Sequence, residues 1–375
     1  MRGYERRGKK HSRLLIYTGR FFLWLFSTLI ILCGGLYTFL YLINKGPSPH
    51  VRDMFVVSVM ESSAGGILSE MFLSGEEIEE ILTRNRTEET AEMTDVSMIS
   101  IPVSYEDDTS AEADEEAETA VDEPDETEEF VHDDPDGDGI EIHEVHGGTY
   151  SGIMMIVYDP SRVRVSSIPR YSHDNRGWTL QQHVEQSGAV AGINGGKYED
   201  ESGLGTGAWP EGVVISDGVV RCGDDGGTYG VYGFNKDNVL IVGRMSAGYA
   251  VSIGMRDAVT FGPALVVNGK GVAMAGAGGG LNPRTAIGQR SDGAVLMLVI
   301  EGRKSSSLGA TMADLCEVML DYGAVNAANL DGGMSSSMFY NGEKIVDNCT
   351  LRVARKIPTA FVVMPLEEAV EEVDE

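Results

Sequence analysis

Between Arg20 and Asn44 the chain runs for 23 residues, Phe21–Ile43, without a charged side chain. In hydrocarbon such a run satisfies its backbone polar groups only as a helix, and its length crosses a bilayer with some tilt. Residues 1–20 carry seven Lys/Arg against one Glu, while Lys45 and Arg52 are the only near bases beyond the run. That asymmetry puts the amino end in the cytoplasm and exports the remainder. A signal-peptide core is usually shorter and ends at small residues. The flank here is Leu42–Ile43–Asn44–Lys45–Gly46–Pro47, so the run reads as an uncleaved, single-pass signal anchor in the cell membrane.

Charge divides the rest. Residues 106–145 hold 20 Asp/Glu and no Lys or Arg, and 365–375 hold six acids and no base. The interval 146–364 has 20 acids against 18 bases, so the net charge of −29 belongs to a linker and a tail. Blocks of like charge stay solvated, and a chain this acidic is not a nucleic-acid binder. The expected organisation is a basic head (1–20), the anchor (21–43), a juxtamembrane helical segment (44–82), an acidic linker (83–145), one domain (146–364) and an acidic tail (365–375). Within the juxtamembrane segment, Ser74 followed by Glu77 predicts a capping box opening a short helix. This segment is a candidate surface for self-association.

From His146 onward, short β-rich runs alternate with glycine. Ser216–Asp217–Gly218 between Val213–Ile215 and Val219–Arg221 predicts a hairpin. Thr311–Tyr322 is the strong amphipathic helix, with Met312, Leu315, Cys316, Met319 and Leu320 at helical spacing and Gly323 as its stop. The fold class expected is α+β: a single domain of mixed β-sheets with a few helices, preceded by one transmembrane helix and an acidic disordered stalk.

Four loops follow or precede apolar strands and combine glycine with polar groups. They are Asn194–Gly195–Gly196, Asn282–Pro283–Arg284–Thr285, Glu301–Gly302–Arg303 and Asp331–Gly332–Gly333 with Ser335 and Ser336. Glu301 and Asp331 are the candidate catalytic carboxyls, because glycosidic cleavage commonly uses a carboxyl pair. Arg284 and Arg303 offer forks that match phosphate oxygens, and glycine turns bring backbone amides near an anion. Asn194, Gly195, Gly196, Thr285, Gly332, Gly333, Ser335 and Ser336 complete the candidate substrate and phosphate contacts. An alternative stays open: Arg284 and Glu301 pair with each other.

No Cys/His spacing suggests zinc, and no metal or cofactor is expected to be required. Asp134–Pro135–Asp136–Gly137–Asp138–Gly139 begins like a calcium loop, but Val145 stands where the bidentate Glu belongs, so a linker turn is the preferred reading over a Ca2+ site. Cys222 and Cys349 are the external pair considered for a bridge.

The segments INGG (193–196), PEGVVISDG (210–218), FGPALVVNG (261–269), NPRTAIG (282–288), Glu301–Gly302 and NLDGGMSSS (329–337) resemble, in order, the motifs of the phosphodiester glycosidase family. The basic head, the anchor and RDMFVVSVMES (52–62) resemble its membrane-tethered bacterial branch, often associated with exopolysaccharide biosynthesis. Asn194, Gly195, Arg284, Glu301, Asp331, Gly332, Gly333 and Ser335 fall on motif positions. Two departures stand out: Lys197–Tyr198 after NGG, and Met334 where the family has a third glycine. The resemblance implies hydrolysis of a sugar-1-phosphodiester in a cell-surface glycan, with that glycan as the partner. The alternative is a non-catalytic glycan-binding or polysaccharide-assembly protein on the same fold.

Overall fold

The computed structural model describes residues 4–60, 65–87, 90–101, 134, 137–200, 206–224, 226–347 and 354–366. The chain divides into two compact units, Met1–Arg86 and Thr87–Glu375.

The first unit is helical. Head and apolar run form one helix, α1 (Tyr4–Lys45), of which Ile16–Lys45 is long and apolar enough to cross a membrane. Three shorter helices follow, α2 (Pro49–Met60), α3 (Gly65–Glu70) and α4 (Gly75–Arg84). The Ser74–Glu77 capping box opens α4. Arg84 grips both carboxylate oxygens of the buried Asp53 at 2.6 and 2.7 Å, which pins α4 to α2.

The second unit is the α+β domain, and every strand pairing among its described residues is antiparallel. A seven-stranded sheet runs in the order β1 (Ile140–His146), β2 (Ser151–Val157), β13 (Val295–Ile300), β12 (Arg284–Arg290), β14 (Ala324–Leu330), β10 (Ala264–Val267), β11 (Lys270–Gly271). A five-stranded sheet has the order β16 (Glu343–Asp347), β15 (Ser337–Tyr340), β4 (Ala191–Asn194), β17 (Thr359–Val363), β3 (Val163–Ser167). The third sheet is β6 (Val219–Cys222), β5 (Val214–Ser216), β9 (Met255–Thr260), β7 (Tyr229–Asn235), β8 (Leu240–Met245). Helix α5 (Leu180–Ser187) lies on the second sheet, and α6 (Ala247–Ser252) joins the core of the third.

β13 shows how the layers arise. Val295, Met297 and Val299 enter the central core shared with the other two sheets. Leu296, Leu298 and Ile300 enter a second core beneath α7 (Met312–Asp321), against Leu315 and Met319. A strand covered on both faces needs an unbroken apolar run, and each such side chain contributes about 1.5–3 kcal/mol on burial. The predicted hairpin forms between β5 and β6, with Asp217 and Gly218 both at positive φ (51° and 73°), as a type I′ turn requires.

Folded structure begins earlier than expected. β1 starts at Ile140, inside the stretch assigned to the acidic linker, and pairs along its length with β2. Its Ile-Glu-Ile-His-Glu-Val alternation is that of an edge strand, masked in the sequence by the surrounding acids. Thr94, in the same stretch, bonds Leu240 O and Val242 N of β8. The acids at the linker's end fold locally: Asp134 accepts from the Gly137 and Gly139 amides at 3.0 and 2.9 Å, and Asp138 from the Ile140 amide. Asp136 and Cys349 lie outside the described residues, as does most of the tail, and Cys222 carries a free thiol.

Candidate active site

Strand register brings three of the four loops to one end of the large sheet. Arg284 opposes Ile300, and Thr285 opposes Leu330. Glu301 and Asp331 therefore leave strands that flank β12, with backbones about 10 Å apart, two strand spacings. The loops interlock around Pro283. The Gly333 amide donates to Pro283 O at 2.9 Å, and a Cβ at Gly302 would lie 2.6 Å from Pro283 N. The fourth loop arrives from the second sheet, where Ala360 opposes Asn194. The Asp331 amide donates to Gly195 O at 3.2 Å.

Many of the expected substrate contacts are spent inside the protein. Asn194 is fully buried, donates to Asp331 O at 2.6 Å, and accepts from Thr285 Oγ1 and the Ser337 amide. The Gly195 and Gly196 amides go to Thr359 O and Oγ1, both at 3.1 Å. A side chain on Gly195 would sit 2.5 Å from Thr359 Oγ1, so glycine is there for close approach. Arg284 is buried and donates to the carbonyls of Gly279, Gly280 and Ala310. It does not pair with Glu301, whose Oε1 instead meets Lys304 Nζ at 2.5 Å while Ser151 Oγ approaches Oε2 at 3.5 Å. These groups form a frame.

Two groups stand apart from that frame. Arg303 is exposed, holds the unusual φ of +59° for a side-chain-bearing residue, and donates to Asn282 Oδ1 at 3.0 Å. Its guanidinium lies over the Gly332–Gly333 turn, within 3.7 Å of where a Gly333 Cβ would be. Strained backbone of this kind costs on the order of 1–3 kcal/mol and clusters at functional sites. The second is Asp331. Its Oδ2 is buried and has no hydrogen-bond partner among the described residues. Burial pushes the carboxyl up from 3.8 to about 7, with hydrogen bonds from the Ser335 hydroxyl and Gly332 amide offsetting only part.

Gly333 adopts φ +62°, which favours glycine, whereas Met334 is absent from the positive-φ positions. The departure at 334 therefore leaves the turn intact. Ser335 is buried with its Oγ 3.0 Å from Tyr198 OH. Ser336 is fully buried, its amide 3.4 Å from Gly333 O. Lys197 points to Glu211 in a 2.5 Å ion pair.

Tyr198 stood out in the sequence only as part of a departure after NGG, and Arg355 not at all. Tyr198 carried a signal, as an aromatic two residues after NGG. Arg355 carried none, since it lies in a basic stretch without periodicity. Arg355 Nε donates to Tyr198 OH at 2.8 Å, and its guanidinium also pairs with Asp200. A cavity of about 320 Å³ beside α7, lined by Val272, Cys316 and Leu320 among others, shares no residue with these loops.

The family model for phosphodiester glycosidase matches residues 187–364, which contain all four loops. Over those residues the chain is similar to the phosphodiester glycosidase family. The phosphodiester glycosidase domain is also similar in fold to the catalytic domain of zebrafish N-acetylglucosamine-1-phosphodiester α-N-acetylglucosaminidase, auto-inhibited there by its pro-peptide. That match has a TM-score of 0.50 at 22% identity, over 60% of this chain and 82% of that one. A hypothetical protein from Synechocystis has a TM-score of 0.44 at 16% identity, over 60% of this chain and 62% of that one. In sequence, the chain is 36% identical over 137 residues to the SPbeta prophage-derived protein YomE of Bacillus subtilis (strain 168). The match spans 36% of this chain and only 20% of YomE.

Proposed function

We propose that the protein is an exported, membrane-anchored hydrolase that cleaves the bond between a sugar C1 and a phosphodiester oxygen in a cell-surface glycan or exopolysaccharide. The observation that carries this reading is Asp331, a carboxyl with a buried, partnerless oxygen and a titration near neutrality, in the motif of a family that acts on such bonds. A group poised near the working pH is suited to proton transfer. Water adds to C1, the C1–O bond breaks, and the phosphomonoester leaves with the bonding pair. Asp331 handles the proton, and Glu301, ion-paired to Lys304, supplies the second carboxylate. Arg303, exposed over the glycine turn, contacts the phosphate, while Asn194, Gly195, Gly196, Arg284 and Thr285 hold the frame.

α1 tethers the domain, with the amino end cytoplasmic and the catalytic domain outside. The departures at Lys197 and Met334 do not favour the non-catalytic alternative, because one side chain turns to Glu211 and the other needs no positive φ. The full chain in detergent should release free sugar from a GlcNAc-1-phosphodiester model compound, with loss in Asp331→Asn and Glu301→Gln. Tight binding of a phosphodiester-linked glycan without turnover, unchanged in both variants, sinks the hydrolase reading and leaves the binding one.

A further inference from the structure

Phe72, in the turn between α3 and α4, packs on the side of α1, the helix long and apolar enough to cross a membrane. Its ring centroid lies 5.3 Å from that of Tyr37 and 6.3 Å from that of Tyr41. Ile43 ends the uncharged run. At 1.5 Å of rise per residue, Tyr41 stands about 3 Å and Tyr37 about 9 Å inside that end. Further along the same helix, Lys45 Nζ meets Glu77 Oε1 at 3.0 Å, where the Ser74–Glu77 capping box opens α4. The start of α4 therefore sits at the charged end of α1, and the turn before it reaches back to the level of the apolar run.

The side chains presented at that level point to a partner. The Met71 amide donates to Ile67 O at 3.3 Å, prolonging the turn of α3, so Ile67 and Met71 share one face. Ile67 is 69% exposed and Met71 56% exposed, while Ser69 and Leu73 behind them are buried. In α2 and α4, by contrast, Val56, Val57, Ile78 and Ile81 turn inward and are buried. Two large apolar side chains left open side by side, level with an apolar span, are matched by acyl chains and not by water. Tyr37 and Tyr41 suit the same boundary, where amphipathic rings collect. Glu70, exposed beside Met71, keeps its carboxylate among the headgroups, so the segment lies at the boundary and no deeper.

We infer that Ile67–Phe72 is a second membrane contact, a hook that seats the Ile67–Met71 face among the lipids of the leaflet at the carboxyl end of α1. A lone spanning helix is free to rotate and tilt, and a contact beside it restricts both.

This inference rests on α1 crossing the membrane, and the two can fail separately. The full chain is reconstituted into phosphatidylcholine vesicles with or without bromine on the upper acyl carbons. Trp24, near the other end of the run, reports whether α1 is in the bilayer, and Trp178 and Trp209 lie in the domain. In a Trp24→Phe background, brominated lipid should quench the indole introduced by Met71→Trp by about half, because an interfacial depth of roughly 5–10 Å sets it among the labelled carbons. Acrylamide in the water should quench it little, and Ile67→Trp should behave alike. Both positions are exposed, so neither variant disturbs a packed core. Equal emission in the two lipids at both positions, with Trp24 quenched in the parent, overturns the hook and leaves the anchor. If Trp24 too is unquenched, the anchor falls and the hook with it. Shielding from both quenchers that disappears as the protein is diluted in lipid gives the face to a second copy of the chain, and likewise overturns the inference.

Discussion

Asp257 and Asp331 are both aspartates of the domain, one fully buried and one half-buried, and they differ in what surrounds them. Asp257, in β9, is fully buried, meets Arg256 Nε at 2.6 Å, and accepts the Val165 and Asp217 amides at 3.2 Å. Burial pushes its carboxyl up, and Arg256 and the two amides pull it back. Among the described residues Asp331 has no ion pair, and one of its oxygens has no hydrogen-bond partner. A buried carboxylate with both oxygens bonded ties sheets together, as Asp257 ties β9 to β3 and the hairpin. One left unpaired is costly to stability and available to chemistry. The arginines repeat the contrast: Arg284 is spent on three carbonyls, and Arg303 stands exposed.

The largest effects should separate the two aspartates by sign. Asp331→Asn should lower kcat about a thousandfold on the phosphodiester substrate, yet raise the melting temperature at pH 8, because it removes a buried, uncompensated charge. Asp257→Asn should do the reverse, costing roughly 3–5 kcal/mol in urea unfolding by stranding Arg256, with activity retained in the folded fraction. Equal destabilisation by both would contradict this difference between the two carboxyls.

For the arginines, Arg303→Ala should lower kcat/KM roughly thirtyfold, about 2 kcal/mol of charge-assisted bonding, with little change in unfolding midpoint. Arg284→Ala should act mainly on stability. Steady-state kinetics beside a denaturant melt distinguishes them, and matching kinetic losses at full stability would put Arg284 on the substrate.

The pH dependence of stability sharpens the contrast further. Asp331, raised to about 7, holds its proton more tightly when folded, so its contribution is lost as pH rises from about 3.8 through 7. His183 is pushed down to about 4 by burial, against the opposing Ile357 carbonyl. Unfolding lets it take up a proton, so its contribution is lost as pH falls from 6.5 towards 4. The two oppose each other in the parent. Melting temperature in Asp331→Asn should therefore fall more steeply on acidification below pH 6.5, and an unchanged slope would contradict the assignment. The smallest effect expected is at Thr311, whose side chain caps α7. Thr311→Ala should cost about 1 kcal/mol of stability and leave kcat unchanged.

Much of the fold was legible because its strands are apolar runs cut by glycine and its main helix has a clear period and caps. β1 was missed because charge in Glu141 and Glu144 obscured an edge-strand alternation. In the candidate site, the structure brings the motif loops to one corner, but residue type could not say which polar groups bond within the protein and which are left exposed. Asn194 and Arg284 look as reactive in sequence as Asp331 and Arg303, and only their partners separate them. Tyr198 and Arg355 are 157 residues apart in the chain, and no local pattern links such a pair.

Asp331 is proposed to move the proton in cleavage of a sugar-1-phosphodiester. The most direct measurement is the pH profile of kcat/KM for the full chain, beside Asp331→Asn. The parent should show a limb with a midpoint near 7 that disappears, with most of the rate, in the variant. A variant that keeps both the rate and the limb would contradict it.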